Sequence, residues 1–446
     1  MSQTTTFNPS ESCNERNSAR TPTVIIVSPG DEVYRGYCLE QAASGHAVAV
    51  ITPGPLTWEA PHVVDHEVAD MDSLQSLRVA ARALALRNHV TGVFTWDEYA
   101  LVPTARIAED LGLPGNSPAA AAACRDKATS RSLMAAHAVP SARFSSVATF
   151  DEAAAAAEEI GYPVVLKPAS HAASIGVIRV DFAEELAAAW KFTTAGASEQ
   201  GPEGTGVLVE EYLTGPEISV ECVTYQGDTR AVAVTHKTLG FAPLFEEIGH
   251  TVTAQDPLLQ RVAPIAAHAV RALGVANGVQ HVEMRLTPAG PAIIEVNGRI
   301  GGDHIGKLVL LATGIDLPRA AADVAAGRRP DLTPTRNSAA AITILYPPAT
   351  GTLTARLLPP AVEHGAPWLH QTGWFKAVGD PVAVPPEGDL DDARIGFAIV
   401  TGATEEEARE RAAEILAHTE LDVRPAPEPE ATAARNTPVR APAPAA

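Results

Sequence analysis

Gly278-Val-Gln-His-Val-Glu-Met-Arg-Leu-Thr-Pro-Ala-Gly-Pro-Ala-Ile-Ile-Glu-Val-Asn-Gly-Arg-Ile-Gly-Gly-Asp-His-Ile-Gly-Lys307 is the stretch on which the reading of this chain turns. Two strand-like runs, Val279–Leu286 and Ala292–Val296, flank a Thr-Pro-Ala-Gly-Pro turn, which predicts a β-hairpin. Side chains alternate faces along a strand. His281, Glu283 and Arg285 therefore share one face of the first strand, and Glu295 and Asn297 share one face of the second. The turn brings Glu283 opposite Glu295. Two carboxylates and an amide oxygen converging in this way form a hard oxygen site suited to magnesium bound with nucleotide phosphates. Arg299 follows two residues after Asn297, close to any charge the metal handles.

A solvated acidic face would account for Glu283 alone. It does not account for Ile-Ile-Glu-Val-Asn-Gly-Arg, which sets polar groups at the end of an apolar strand and continues as Ile-Gly-Gly-Asp. This run resembles the metal-binding end of the ATP-grasp fold. Its Gly-Arg-Ile-Gly-Gly-Asp continuation is similar to the L-amino acid ligase (dipeptide synthetase) branch, a group of carboxylate–amine ligases. Biotin carboxylases of the same superfamily usually continue Asn-x-Arg with a Val-Glu-His segment, which this chain lacks. One departure is Gly298, where many relatives place Pro before the Arg.

Composition narrows the classes. A chain of 446 residues supports two to four domains with sizeable cores. Its 46% hydrophobic content and near-neutral mean hydropathy fit an ordinary globular protein. A net charge of −20 argues against non-specific nucleic-acid binding, which needs basic patches. Cys13, Cys38, Cys124 and Cys222 are scattered, form no zinc spacing and read as reduced thiols of a cytoplasmic protein. No apolar run is long enough to span a membrane, and the polar N-terminus has no hydrophobic signal core. Residues 1–22 and 424–446 read as disordered tails.

In chain order, Thr23–Ser28, Ala47–Thr52 and Gly92–Trp96 are buried-strand runs alternating with helical stretches, the pattern of a parallel sheet. Only Gly30 occupies the first strand-to-helix loop, so the dinucleotide fingerprint is absent. The region Pro118–Ala138 reads as an alanine-rich helix holding Lys127. Thr149-x-x-Glu152 is a capping box opening a helix that Gly161 stops. Lys167 then ends the apolar strand Pro163-Val-Val-Leu-Lys-Pro, a position that favours an anion partner over plain solvent. The small-residue loop Ser170–Gly176 lets backbone N–H groups approach phosphate oxygens. Gly240–Asp256 is too apolar for a plain solvent loop and too irregular for a helix. Asp256-Pro257 reads as the cap of a helix Pro257–Leu273, and His304–Thr313 reads as another helix. Arg336–Pro347 and Arg394–Val400 are strand-like, and Thr404-Glu-Glu-Glu407 opens a helix Glu405–His418.

The resemblance covers roughly residues 23–423 and supplies roles in family order. It implies α/β and α+β multidomain architecture: a Rossmann-like domain over 23–118, an ATP-grasp domain over 119–330 with a lid subdomain over about 139–208, and a small α+β domain over 331–423. It implies that Lys127 and Lys167 bind phosphate and that the loop with Ser174 and Gly176 covers it. Val207-Leu-Val-Glu-Glu-Tyr-Leu-Thr-Gly-Pro-Glu217 matches the hinge. There Glu210 would accept from the adenine amino group, the backbone of Tyr212 and Leu213 would meet the adenine edge, and Glu217 would take the ribose hydroxyls. Glu283, Glu295 and Asn297 would hold Mg2+, with Mn2+ as a substitute. Glu247, His250, His281, Gly302 and Asp303 would contact substrate, and Arg299 would hold the substrate carboxylate and stabilise an oxyanion. The implied activity joins an amino acid carboxylate to an amine through an acyl phosphate, consuming ATP and releasing ADP and phosphate. The implied partners are small amino acid and amine substrates, with a homodimer possible and neither nucleic acid nor membrane involved. Two alternatives stand beside it: a ligase for a non-amino-acid carboxylate, and a non-catalytic nucleotide-binding regulator.

Overall fold

A computed structural model describes residues 21–171, 174–197, 206–363, 365–388 and 390–425. Cys13, both expected tails (apart from residues 21–22 and 424–425) and residues 172–173 of the small-residue loop lie outside the described residues.

The N-terminal part forms around β1 (Pro22–Val27), β2 (Ala47–Thr52), β3 (Asp65–Val68) and β4 (His89–Phe94), a parallel sheet in the order β3-β2-β1-β4. Helix α1 (Glu32–Ala43) connects β1 to β2, α2 (Leu74–Arg87) connects β3 to β4, and α3 (Leu101–Leu111) follows β4. β1 and β2 are apolar on both faces because both are covered. Ile25, Val27, Ala49 and Ile51 pack on one side against Leu77 and Leu84, while Val24, Ile26, Val48 and Val50 pack on the other with Leu39 and Trp96. Strand β3 escapes the sequence pattern because Asp-His-Glu-Val is an edge strand with little to bury.

The alanine-rich helix region is two helices, α4 (Pro118–Arg125) and α5 (Lys127–Ala136). Asp126 ends the first and N-caps the second, its carboxylate accepting from Thr129 N–H. Lys127 is therefore the first residue of a new helix, and its own N–H donates to the Ala169 carbonyl. A continuous helix would have carried Lys127 away from that contact.

A second sheet, in the order β5-β8-β6-β7, contains β5 (Phe144–Val147), β6 (Val164–Pro168), β7 (Ile178–Val180) and β8 (Val207–Glu211). Helices α6 (Phe150–Ile160) and α7 (Leu186–Ala197) belong to the same unit. The predicted capping box at Thr149 and Glu152 is present, and Gly161 caps the other end at φ +88°. Ala153, Ala157 and Leu186 close over Val164, Leu166 and Val209.

The largest sheet has eight strands in the order β13-β12-β9-β10-β11-β14-β18-β16. These are β9 (Glu217–Tyr225), β10 (Asp228–Gly240), β11 (Glu246–Thr253), β12 (Gly278–Thr287), β13 (Gly290–Asn297), β14 (Ala339–Leu345), β16 (Leu369–Trp374) and β18 (Gly396–Gly402). Its helices are α8 (Leu259–Ala272), α9 (Ile305–Thr313), α10 (Leu317–Ala325) and α11 (Glu405–His418). The small sheet β17-β15-β19 pairs β15 (Gly351–Leu357) with β17 (Pro381–Val382) and β19 (Glu420–Pro425).

Three features differ from the sequence reading. The segment 331–423, expected to stand as a small domain of its own, places β14, β18 and β16 in the same sheet as the hairpin. Alternate residues of β14 explain why: Ile342 and Ile344 pack with Leu308 and Val309 of α9, while Ala339 and Ala341 pack with Ala408 and Ile415 of α11. Within the stretch Gly240–Asp256, residues Glu246–Thr253 form strand β11, paired with β10 and β14; its polar composition hides the buried run Gly249–Val252. Helix α8 begins at Leu259 and not at Pro257, and Asp256 instead accepts from Leu258 N–H in a turn before it.

Candidate active site

The predicted hairpin is β12–β13, and its register pairs Glu283 with Glu295 and His281 with Asn297. A bulge follows Glu283. The hairpin forms one wall of a cavity of about 400 Å³. The β1–α1 loop, the chain after β4, helix α5, strand β6 and the stretch after β8 form the others. Lys127, Lys167, Ser174, Glu210, Tyr212, Leu213, Glu217, Glu247, His281, Glu283, Glu295, Asn297, Arg299, Gly302 and Asp303 all line it. Two predicted residues do not. Gly176 turns at φ +71° against Pro168 and Gly196, so it shapes the loop behind the wall. His250 has a fully buried side chain and reaches only the carboxylates of Glu247 and Asp303, at 3.2 and 3.1 Å. It holds wall residues in place and touches no cavity space.

At one end, two cations surround one carboxylate. Arg131 grips Glu210 through Nε at 2.8 Å and Nη2 at 3.0 Å, and Lys167 Nζ lies 2.6 Å from the same group. Burial pushes Lys167 down to about 8. Burial opposes the charge on Glu210, but Arg131 and then Lys167 outweigh it and hold its pKa below the ordinary value. Lys127 Nζ lies 3.0 Å from Glu295 and donates to the His171 carbonyl. Beside this cluster the Arg179 guanidinium stacks 4.6 Å over the Tyr212 ring, with Phe245 next to it, forming a flat slot along the wall. The Tyr212 N–H donates to the Pro163 carbonyl, so that backbone group is already engaged.

Toward the hairpin the arrangement inverts, with three carboxylates around one ammonium. Lys237 Nζ, on a fully buried side chain, lies 2.6 Å from Glu247, 3.2 Å from Glu283 and 3.4 Å from Glu217. Burial opposes its charge, but Glu247, Glu283 and Glu217 drive its pKa well upward. Burial likewise opposes the charge on Glu283, while Lys237 and then His281 bring it down to about 2. His281 is held on both sides: Nδ1 lies 3.0 Å from both oxygens of Glu221, and Nε2 lies 3.2 Å from Glu283. Burial would lower this imidazole, but Glu221 overrides it and raises the ring to about 9. Both ring nitrogens of this predicted substrate contact are thus already engaged by protein carboxylates.

Arg299 is ion-paired with Glu98, which also holds Arg125 at 3.0 Å. Its Nη1 donates to its neighbour Ile300's carbonyl and its Nη2 to Asn297 Oδ1 at 3.4 Å. Beyond it, Asp303 is bound by Arg394 from the segment before β18, and Tyr346 donates to the Glu247 carbonyl at 3.2 Å. Asp303 and His304 both adopt left-handed backbone, at φ +48° and +56°. Such conformations cost of order 1–3 kcal/mol for non-glycine residues and persist where surroundings fix them.

The sequence reading missed Glu98, Arg131, Glu221 and Arg394 and gave Lys237 no role. Glu98 had a signal, since it follows the carboxyl end of a parallel strand, where ligand sites of open α/β sheets lie. The others are single polar residues in helices or strands with no spacing to mark them.

These sheets, with a flat slot, a cluster of lysines and a carboxylate-bearing hairpin along one cavity, have the arrangement of an ATP-grasp fold. The sequence matches the ATP-grasp domain family over residues 160–307. The protein y4rH of Sinorhizobium fredii is 29% identical over 352 residues, covering 75% of this chain and 72% of that protein. Human carnosine synthase 1 is 30% identical over 288 residues; the match covers 60% of this chain but 34% of that protein, so this chain spans about a third of its length. Among solved structures, the L-amino acid ligase from Bacillus licheniformis superimposes with a TM-score of 0.76 at 24% identity, covering 91% of this chain and 99% of that one. Residues 160–307 carry an ATP-grasp domain, and the ligases just named are what the chain is similar to. No helix among the described residues is long and apolar enough to cross a membrane.

Proposed function

We propose that this chain joins an amino acid carboxylate to an amine, forming a dipeptide or related amide with release of ADP and phosphate. The observation that carries the reading is convergence: Lys127, Lys167, Glu283, Glu295, Asn297 and Arg299 come from four elements and their flanks yet wall one cavity.

In this reading the adenine lies in the slot beside Tyr212 and Leu213, with Glu210 accepting from its amino group and Glu217 taking the ribose hydroxyls. Ser174 covers the phosphates. Lys127 and Lys167 neutralise the phosphate chain, and Lys237 adds its charge from behind the carboxylates. Oxygen donors from Glu283, Glu295 and Asn297 suit a hard divalent ion, and the ligand atoms of Glu217, Glu247 and Glu283 lie within 4.8 Å of one another. Bound there, Mg2+ (or Mn2+) supplies charge neutralisation of the phosphates.

The substrate carboxylate oxygen attacks the γ-phosphorus of ATP. An O–P bond forms, the bond from phosphorus to the β-bridging oxygen breaks, and ADP leaves. The amine nitrogen then attacks the acyl carbon of the resulting acyl phosphate; its carbon–oxygen bond breaks, phosphate leaves and the nitrogen sheds a proton. Arg299, aimed by Glu98, holds the carboxylate in the first step and stabilises the oxyanion in the second. Glu247 and Asp303 face the substrate, and Gly302 leaves open space beside it, since a Cβ built there meets nothing within 4 Å. Fixed donors aimed at developing charge of this kind contribute about 10²–10³ in rate each.

The test is phosphate release from ATP with Mg2+, given each amino acid alone and then in pairs, with nucleotide products separated. Pair-dependent ADP and a new dipeptide mass are expected. ATP binding without turnover on any pair would favour an unrelated carboxylate or a nucleotide-binding regulator, and AMP as product would overturn the acyl-phosphate route. A homodimer through the N-terminal part belongs to the same reading; it is supported by Val64, Val68, Val79 and Leu86, exposed near the β3 edge and on α2. Light scattering in solution tests it.

A further inference from the structure

The cavity is lined by seven Lys and Arg side chains, and six of them are bound to a carboxylate. Lys127 meets Glu295, Lys167 and Arg131 meet Glu210, Arg285 meets Glu217, Arg299 meets Glu98 and Arg394 meets Asp303. Arg35 is the exception: among the described residues no carboxylate oxygen lies within ion-pair distance of its guanidinium. Its Nη1 donates at 3.1 Å to the backbone carbonyl of Gly301, two residues beyond Arg299. Asp303, whose charge reaches Arg35, is already bound by Arg394 and His250.

The local structure presents this group deliberately to the cavity. Arg35 lies in the first turn of α1, whose N-cap is Asp31. Gly30 precedes the cap at φ +81°, and a Cβ there would come within 3.0 Å of Arg35 Cγ. Glycine thus leaves the path along which the side chain reaches the cavity. The contact with Gly301 fixes one edge of the guanidinium and ties the N-terminal part to the turn after the hairpin.

A guanidinium presents a rigid fork of donors that matches a carboxylate with two parallel hydrogen bonds. The acyl-donating substrate gives up its carboxylate to phosphorylation beside Arg299, so it has none left for a second arginine. We infer that Arg35 binds a carboxylate of the amine-bearing substrate, so that the acceptor is an amino acid with a free carboxylate and the product carries that carboxylate at its end. This rests on the ligase reading above and narrows it, since simple amines and amino acid amides then become poor acceptors.

The test separates the two halves of the reaction. Hydroxylamine intercepts an acyl phosphate as a hydroxamate and carries no carboxylate, so it reports activation of the acid alone. With the acid that gives the strongest hydroxamate signal, each of the twenty amino acids and its carboxamide are offered as acceptors. The wild-type protein is expected to favour the acid over the carboxamide by about 100-fold in kcat/KM, the scale of losing one buried charge pair. In Arg35→Met the KM for the acid acceptor rises by a similar factor, the two acceptors converge, and hydroxamate formation stays near the wild-type rate. Arg35→Lys recovers part of the preference through its point charge. Wild-type protein that accepts the carboxamide as readily as the acid overturns the inference without any variant. So does loss of hydroxamate formation in Arg35→Met, which would assign Arg35 to the acid or to the fold. Wild-type protein that forms no hydroxamate with any acid overturns the ligase reading itself, and this inference with it.

Discussion

The two charged centres of the cavity are opposites. At Glu210 a carboxylate is shared by two cations, Arg131 and Lys167, while at Lys237 an ammonium is shared by three carboxylates, Glu217, Glu247 and Glu283. Counting those groups alone, the first centre is net positive and the second net negative, although each carboxylate of the second also meets Arg285, His281 or His250. Opposite excesses a short distance apart suit a substrate whose anionic chain runs into the first and whose counter-cation enters the second. The arrangement also explains the opposed shifts of two lysines at similar burial. Lys167, with one carboxylate and a competing arginine, is pushed down to about 8, while Lys237 is driven well up. Burial is the same penalty in both; the count of partners decides the sign.

The largest effect is expected from breaking the second centre. Lys237→Met leaves three buried carboxylates facing one another, and removing one partner of a buried ion cluster costs roughly 3–5 kcal/mol. The melting temperature should fall accordingly, and millimolar Mg2+ or Mn2+ should restore more of it than the same ion adds to wild type. An unchanged melting temperature would show that the cluster is neutralised in some other way.

The pH dependence of stability probes the same centre. Folding raises His281 from 6.5 to about 9, so its contribution is complete below pH 6.5 and is lost as pH rises through 9. The full span corresponds to at most about 3 kcal/mol. Denaturant unfolding of the metal-free protein between pH 6 and 10 should show this decline, and His281→Asn should flatten it. A decline that persists unchanged in the variant would assign it to other groups.

Breaking the first centre is expected to affect binding more than folding. In Lys167→Met the carboxylate of Glu210 keeps its paired contact with Arg131, so the protein should melt near the wild-type temperature. ATP affinity should fall by about 100-fold, the scale of losing one desolvated charge contact. Calorimetric titration measures it, and equal losses in melting temperature and affinity would argue that the two centres are not distinct. The smallest effect is a proton. Because Lys167 titrates near 8 and phosphate favours its charged form, ATP binding at pH 8.5 should take up a fraction of a proton that vanishes at pH 6.5 and in Lys167→Met. Titration in buffers of different ionisation enthalpy reads it.

Much of this site was legible because strands repeat every two residues. His281, Glu283 and Arg285 share a face by that rule, and Glu283 meets Glu295 because a tight turn, Pro288-Ala289 in the structure, folds the second run back on the first. Fifteen of the seventeen predicted residues line the cavity. The two exceptions are instructive. The resemblance marks His250 together with Glu247, and the two touch at 3.2 Å, but three-residue spacing in a strand does not say which of the pair faces outward and which is buried. Gly176 belongs to a loop whose composition is right for phosphate, yet its own position is taken up by contact with Pro168.

The amino-acid sequence by itself determined the hairpin with its facing carboxylates and the strand-end lysine at 167. Those follow from period, turn chemistry and adjacency, all of which act over a few residues. Only the tertiary structure decided that Lys237 sits among three glutamates, that Glu98 aims Arg299, that Asp126 breaks a helix where Lys127 must turn, and that strands after residue 338 complete the hairpin's sheet. It also left Arg35 the one lining cation, among the described residues, without a carboxylate. Apart from the Asp126 cap, these are pairings between residues from ten to about two hundred positions apart. Local pattern does not encode them, because they exist only once the sheets have packed and buried charges must find partners or go without.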